Sequence, residues 1–250
     1  MNFYEKLVET SLPLARAKRI KRVCVGIHYT IVELEKEGIG LVSTLWDSSQ
    51  GFLELGEEVH FWNIPADMVI KKYLSSHPIE NSIALATINA VFSLSFRENS
   101  YQRMVIEDPF SEIELSPSDE ILMIGYFENL FNKLKSKVKK IWVLEKDWKT
   151  FNFKVSQIKN KLKLAIISSY LLLTKSLEKL WKEIEGIPEV IIIGPEVPLN
   201  GEIFKNTPVT YLLSFKVKNS EELFKRVCES KGLNSFLKAG LIEKISLRVK

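Results

Sequence analysis

Apolar and polar residues follow different patterns in the two halves of the chain. In the first hundred residues, alternating runs at 22–30 and 38–45 predict strands, and the nearly uncharged run 82–92 predicts a helix buried on most sides. After residue 119, continuous apolar runs alternate with amphipathic helical segments. Such alternation is typical of a mainly parallel sheet with helices on both faces. The predicted fold class is therefore α/β.

The predicted elements divide the chain into two domains and a linker. Residues 101–119 carry Asp108-Pro109, Ser116-Pro117 and several acidic residues, which is typical of a connecting segment. We therefore expect a small α+β domain over 1–100 and a Rossmann-like domain over 120–250. Helices are predicted over 3–18 with a break at Pro13, 66–74, 80–92, 129–138, 174–184 and 220–230. Strands of the second domain are predicted over 120–125, 140–145, 162–169, 189–195 and 209–217.

Composition and charge narrow the class of protein. The chain has 250 residues, of which 46% are hydrophobic and 26% charged, and this excludes a fibre or a disordered tail. Its formal net charge of +4 is too small to require a polyanionic partner. Two cysteines, Cys24 and Cys228, are too few for a disulfide framework. The first residues lack the layout of a signal peptide. The longest apolar run, around 162–173, is too short to span a bilayer. We expect a cytoplasmic protein without membrane association.

Ligands of open α/β sheets bind beyond the carboxyl ends of the strands, so residues at those ends are the candidate site. Gly125 follows one buried strand, and Glu145 ends the next about twenty residues later. This spacing matches a dinucleotide site, in which a glycine turn approaches phosphate and an acid binds a ribose hydroxyl. However, the other glycines of that loop are missing, and Tyr126 and Phe127 would crowd a pyrophosphate. A small-molecule pocket or an ordinary turn fits the residues better.

The remaining candidates are polar or turn residues at predicted strand ends, together with one amide in the apolar helix. A ligand contact and a purely structural role both explain these residue types, because a buried amide needs a partner and a glycine or proline shapes a turn. They are Tyr29, Thr30, Asn89, Ser168, Gly194 and Pro195.

Two further groups of residues are of types that form functional sites: the histidines and cysteines, and a run of lysines. The three histidines, His28, His60 and His77, are far apart, and neither cysteine has a Cys or His at ligand spacing, so no metal site is predicted from the sequence. Lysines recur from Lys133 to Lys163 with tryptophans among them, as in a nucleic-acid patch or a solvated helix face. The small net charge favours the solvated face.

Several segments together resemble one family. They are Val-Gly-Ile-His-Tyr-Thr-Ile-Val-Glu-Leu at 25–34, Ser-Ile-Ala-Leu-Ala-Thr-Ile-Asn-Ala at 82–90, Ile-Leu-Met-Ile-Gly-Tyr-Phe at 121–127, Val-Leu-Glu at 143–145 and Ile-Ile-Gly-Pro-Glu-Val-Pro-Leu at 192–199. In order and spacing they are similar to the putative heavy-metal chelation domain family. The resemblance covers most of the chain and depends on all the segments jointly.

The resemblance implies a small domain similar to the N-terminal domain of enolase, a Rossmann-like second domain, and a ligand site in the cleft between them. It places the family's motif positions on residues already named above: Tyr29, Thr30, Asn89, Gly125, Tyr126, Phe127, Glu145, Gly194 and Pro195. It leaves the family's activity unsettled. The name of the family points to the handling of heavy metals or to anaerobic cofactor metabolism.

The sequence departs from the family pattern around the third predicted strand and after the fourth. Tyr170 stands where a small residue is usual, Lys175 replaces a glycine, Lys163 replaces an acid, and Glu196 follows Gly-Pro where serine is usual. A ligand site against these loops is therefore expected to be reshaped or lost.

Three functions are consistent with the sequence. The first is binding of a small molecule or a chelated metal between the two domains, with Glu145 as the charged contact. The second is a Rossmann-like transferase that uses a nucleotide-derived cofactor, and the third is a nucleic-acid or protein-interaction module that uses the basic run. We expect no membrane partner and do not favour nucleic acid, and a homodimer is compatible with the sequence. The sequence identifies no cofactor, metal or catalytic residue.

Overall fold

The N-terminal part is built on a three-stranded antiparallel sheet. In the computed structural model, which describes residues 1–35, 38–46, 55–56, 60–98, 105–145 and 155–250, its strands pair in the order β1-β2-β3. The bounds are Ile20–Val25 for β1, Tyr29–Leu34 for β2 and Ile39–Ser43 for β3. The single strand predicted over 22–30 is therefore wrong: the chain reverses after Val25, where the Gly26 N–H donates to the Tyr29 carbonyl (2.9 Å).

Three main helices accompany this sheet. The first is capped at its start because Asn2 and Glu5 bond reciprocally to each other's backbone N–H. The longest helix is almost uncharged, and it is buried in the core on most sides, as its sequence predicts. The bounds are Phe3–Ala15 for α1, Ala66–Lys71 for α2 and Pro78–Glu98 for α3, and a short 3₁₀ turn, Lys72–Leu74, follows α2.

The C-terminal part is built on a seven-stranded, mostly parallel sheet with the order β4-β10-β9-β8-β7-β5-β6. The five strands from β5 to β9 are parallel to their neighbours, whereas β10 and β4 are antiparallel additions at one edge. The bounds are Val105–Ile106 for β4, Glu120–Ile124 for β5, Lys140–Leu144 for β6, Leu162–Ser168 for β7, Glu189–Ile193 for β8, Tyr211–Val217 for β9 and Ile242–Arg248 for β10.

Six short helices connect these strands and cover the sheet. They are Pro109–Glu112 (α4), Glu128–Leu134 (α5), Tyr170–Leu173 (α6), Leu177–Ile184 (α7), Ser220–Cys228 (α8) and Leu233–Lys238 (α9). The helix predicted over 174–184 corresponds to α7, which begins at Leu177, whereas α6, α9 and β10 were not predicted. The mixed α/β class, with a small N-terminal sheet and a Rossmann-like sheet, is confirmed.

Two apolar clusters of buried residues cross the predicted domain boundary. The Phe3 ring in α1 contacts Trp181 in α7 and Phe204, with ring centroids 5.8 and 5.1 Å apart. On its other face the small sheet packs against α8 and α9, where Ile31 lies in one cluster with Val227. The predicted linker 101–119 itself contains β4 and α4. The two parts are therefore packed extensively against each other, and the bounds proposed for two domains stay a prediction.

In the part of the chain that the structure describes, one helix is long and apolar enough to cross a membrane by length and composition alone. It is the segment Pro78–Phe96 of α3, and 89% of its most apolar window is buried inside the protein. Burial of this kind is what the core helix of a folded domain shows.

Candidate functional site

The carboxyl ends of the parallel strands meet the N-terminal part through a buried carboxylate. Glu196 follows β8 and is only 1% exposed. Its Oε1 accepts a hydrogen bond from the Ser43 N–H at the end of β3 (2.8 Å), and its Oε2 accepts one from the Ser169 hydroxyl. A buried carboxylate needs such donors because its desolvation is costly. Glu196, one of the residues that depart from the family pattern, therefore connects the two parts of the chain by hydrogen bonds.

Gly194 is the residue that makes room for this arrangement. Its φ is +140°, and a Cβ on it would lie 2.0 Å from Ser169 Oγ and 3.2 Å from Glu196 Oε2. The space of the missing side chain is thus filled by the protein's own hydrogen bond. We name Ser43, Ser169, Gly194 and Glu196 the Glu196 cluster.

A second polar contact between the two parts joins Asn89 to Pro195. The Asn89 Nδ2 donates to the Pro195 carbonyl oxygen (2.9 Å), and among the described residues the buried Oδ1 has no partner. A small, partly open cavity of about 20 Å³ lies beside Asn89, which is room for about one water molecule. The structure thus brings Asn89 of α3 into one region with Gly194 and Pro195, which follow β8.

An open cleft lies beside the Glu196 cluster. Its volume is about 420 Å³, and both parts of the chain contribute to it. Its walls carry three aromatic rings, an imidazole and two hydroxyls, and they consist of Ile27, His28, Tyr29, Ser43, Thr44, Trp46, Tyr170 and Gly232. Of the predicted site residues only Tyr29 is in this lining. Trp46 and Ser43 lie near the end of the β3 run and carried no motif that would have marked them.

The two predicted residues of β2 have different surroundings. Tyr29 packs edge-on against Phe236 (centroids 5.6 Å apart), and burial raises the pKa of its hydroxyl, with a further contribution from the charge of Glu196. Thr30 is fully buried, and its hydroxyl pairs with Thr44 (3.0 Å), which donates to the Gly26 carbonyl (2.6 Å). Thr30 therefore supports the hairpin from inside.

Gly125 and Ser168 meet where the order of the parallel strands reverses, between β5 and β7. A Cβ on Gly125, whose φ is +85°, would lie 2.9 Å from the Ser168 Cβ. Such reversals are the usual ligand sites of doubly wound sheets. Tyr126 is 52% exposed and contacts the Phe131 ring, and Phe127 packs against the core beside α5. These four residues share one edge of the sheet.

Glu145 and one lysine of the basic run, Lys140, belong to the region of the outer strand β6, whereas the run itself begins in α5 and ends in β7. Glu145 follows β6 and is exposed. Lys140 stacks on the Trp142 ring (3.1 Å), and the Trp142 indole N–H donates to Glu120 (2.7 Å), so this tryptophan is part of the sheet's own packing. The part of the run from 146 to 154 lies outside the described residues.

Lys175, which stands where the family usually has a glycine, has a backbone conformation that favours glycine. Its φ is +51°, a left-handed conformation that glycine adopts without strain. Its ammonium group donates to the Ser75 carbonyl (2.7 Å) and to Asn81 Oδ1 (3.0 Å), both in the N-terminal part. Burial lowers the pKa of Lys175. This departure from the family pattern thus adds another contact between the two parts.

The described residues do not fit a bare metal ion bound by three or more protein ligands. Across residues 1–35, 38–46, 55–56, 60–98, 105–145 and 155–250, no group of three His, Cys, Asp or Glu side chains converges on one point. Structural metal sites in proteins take about four such ligands. The lining of the cleft offers aromatic rings and hydroxyls instead.

Comparison with known proteins supports the resemblance seen in the sequence. Two family models, both described as "Putative heavy-metal chelation", match residues 8–92 and 108–245. The chain belongs to this family. Comparison with curated proteins gives no match. The resemblance proposed from the sequence is therefore confirmed, whereas the family description itself names no specific ligand.

Two solved structures share the fold over almost the whole chain. A protein of unknown function from the DUF364 family of Pyrococcus horikoshii is 20% identical, with a TM-score of 0.81 over 99% of this chain and 100% of that one. A DUF364-family protein of unknown function from Desulfitobacterium hafniense is 17% identical, with a TM-score of 0.74 over 98% of both chains. At these identities the likeness shows the fold of the family.

Proposed function

We propose that this member of the family binds a small organic molecule with a planar aromatic group, free or carrying a metal, in the open cleft. The observation that carries the proposal is the cleft of about 420 Å³ lined by both parts of the chain. Pockets of roughly 300–1,000 Å³ are the usual size for small-molecule sites.

The aromatic lining sets the class of ligand. Trp46 is 46% exposed, while its indole N–H donates to the Ile27 carbonyl (2.7 Å), which holds the ring in one orientation at the cleft. Tyr29 and Tyr170 supply further rings, and Ser43 and Thr44 supply polar atoms. Exposed rings around a concave surface favour stacking with a flat ligand, and a few polar groups fix its orientation.

The charges around the cleft favour a neutral or cationic ligand. Among the described residues, those that line the cleft include no Lys, Arg, Asp or Glu. The Glu196 carboxylate lies behind Ser43, and both of its oxygens accept hydrogen bonds from the protein. A metal would therefore enter as part of an organic complex, held through its organic ligand, rather than as a bare ion.

Ligand binding is tested with a defined set of probes. Adenosine, S-adenosylmethionine and phenanthroline with and without nickel(II) present planar rings, whereas nickel(II) and cadmium(II) chlorides present bare ions. We expect at least one planar probe to raise the thermal midpoint and to quench tryptophan fluorescence, and the bare ions to do neither.

A matched pair of variants locates the binding. Trp46→Ala removes a ring that lines the cleft, and Trp62→Ala removes a ring that is 60% exposed outside that lining. Because stacking on an aromatic ring contributes about 1–3 kcal/mol, we expect Trp46→Ala to weaken the binding probe about tenfold or more. Trp62→Ala should leave its affinity unchanged. Equal affinities in the two variants, or no response to any planar probe, would contradict the proposal.

A further inference from the structure

The two cysteines of the chain converge although they are 204 residues apart in sequence. Cys24 lies in β1 of the N-terminal part and Cys228 is the last residue of α8, and their sulfur atoms are 2.8 Å apart. Both are free thiols in this structure; Cys228 is exposed and Cys24 is partly buried. Sequence spacing gave no sign of this pair.

The approach of the two sulfurs is fixed by contacts on both sides of it. On one side, the Arg22 guanidinium pairs with Glu221 (2.7 Å) and lies 4.2 Å from the centre of the Phe224 ring. On the other side, Gly26 packs so closely on α8 that a Cβ would lie 2.6 Å from the Val227 carbonyl oxygen. The backbones of β1 and α8 therefore hold the thiols together.

We propose that Cys24 and Cys228 form a disulfide bond joining β1 to α8 when the protein meets a low-molecular-weight disulfide such as oxidised glutathione. Bond formation requires the sulfurs to approach by about 0.8 Å, since a disulfide is about 2.0 Å long. Two sulfurs on one tetrahedral metal would lie about 3.8 Å apart, from metal–sulfur bonds of about 2.3 Å. Closing is therefore the smaller movement, and the described residues supply no third ligand to a metal at this pair.

The reaction proceeds by two thiol–disulfide exchanges. The exposed Cys228 thiolate attacks one sulfur of oxidised glutathione, which releases one glutathione thiolate and leaves a mixed disulfide on Cys228. Cys24 then loses its proton and attacks the Cys228 sulfur, which releases the second glutathione. The two protein thiols lose two electrons and two protons, and one glutathione disulfide becomes two glutathione thiols.

The order of the two steps follows from the surroundings of the thiols. Burial, together with the hydrogen bond and the charge of Cys228, raises the pKa of the Cys24 thiol to about 12. The thiolate is the attacking species, so Cys228, which is exposed, reacts first with an external disulfide. Cys24 is then the resolving thiol.

The bond would fix one wall of the cleft. Residues Ile27–Tyr29 follow β1 and Gly232 follows α8, and both line the cleft. The proposal itself depends only on the geometry of the two thiols, not on ligand binding.

The test compares the full-length protein before and after equilibration with excess oxidised glutathione, without any other oxidant. We expect free thiols to fall from two to none per chain, the intact mass to fall by two hydrogens, and one cross-linked peptide to contain both cysteines. Because the bond closes a loop of about two hundred residues, the thermal midpoint should rise by about 10 °C. Cys24→Ser should instead retain one glutathione on Cys228 and show no rise, and Cys228→Ser should react little.

Three results would overturn the proposal. The first is two free thiols, or two retained glutathiones, in the oxidised wild-type protein. The second is cross-linking between chains rather than within one chain. The third is one tightly held cadmium(II) ion per chain that both serine variants lose, together with no internal disulfide. The first two results come from the wild-type protein alone, so they decide the matter even if a serine variant fails to fold.

Discussion

Replacing Gly194 with alanine tests whether the Glu196 cluster needs the space of a missing side chain. The new methyl group would lie 2.0 Å from Ser169 Oγ and 3.2 Å from Glu196 Oε2, at a backbone φ of +140°. No side chain fits at such distances, so the Ser169 hydroxyl has to leave the carboxylate. The substitution therefore combines backbone strain with the loss of a buried hydrogen bond to Glu196.

The size of the effect follows from these two terms. A residue other than glycine at a left-handed position costs about 1–2 kcal/mol, and a hydrogen bond to a charged group contributes about 1.5–3 kcal/mol. We expect Gly194→Ala to lower the free energy of unfolding by about 3–5 kcal/mol. Gly186→Ala is the matched control, because its φ is +89° and nothing lies within 4 Å of the new Cβ. It should cost only the first term.

Urea unfolding followed by circular dichroism measures both variants. The midpoint of Gly194→Ala should fall by about 1 M or more, for a slope of about 3 kcal/mol per molar urea. In a Ser169→Ala background the hydroxyl is gone, so adding Gly194→Ala should cost little more than Gly186→Ala does. If Gly194→Ala and Gly186→Ala lie within about 1 kcal/mol of each other, the reasoning about the cluster is refuted.

Two further predictions concern one contact between the two parts of the chain and one ion pair within the N-terminal part. Lys175→Gly removes the hydrogen bonds to Ser75 and Asn81 but relieves the left-handed backbone, whereas Lys175→Met removes the same bonds and keeps the strain. The methionine variant should therefore be less stable by about 1 kcal/mol in urea; equal stability would contradict this. Burial opposes the charge of Glu80, but the hydrogen bonds from Lys72 and Ser75 and the positive charge of Lys72 together outweigh it and lower the pKa of that carboxyl. Stability from this pair is present above the unfolded pKa and is lost as pH falls through the lowered one, so Lys72→Met should flatten the acid limb of a stability-against-pH curve, and an unchanged limb would refute the assignment.

Hydrophobic patterning predicts the parallel sheet well because its strands are buried on both faces. The runs that became β5, β7 and β8 are continuous and apolar, and each ends within two residues of the predicted position. The pattern fails where a strand carries charges. Glu243 and Lys244 interrupt β10, whose pairing with β9 comes from the fold rather than from local sequence. The hairpin turn at 26–28 was not predicted because the alternation of apolar residues continues through Ile27.

The contacts of the candidate site were harder to predict because they join distant parts of the chain. Gly194 and Asn89 stood out by residue type, and the structure places both between the two parts. Ser43 and Glu196 are 153 residues apart, and no local pattern pairs a serine N–H with that acid. Glu196 itself was visible only as a departure from the family pattern.

Burial separates the residues that can serve a ligand from those that hold the protein together. A glycine, a hydroxyl and an acid at strand ends fit both roles by residue type. In this fold the acid is 1% exposed, and both of its oxygens accept hydrogen bonds from the protein. A ligand that required Glu196 would have to break both, each worth about 1.5–3 kcal/mol. The rings of Tyr29, Trp46 and Tyr170 line open space instead, so recognition by stacking needs no such exchange.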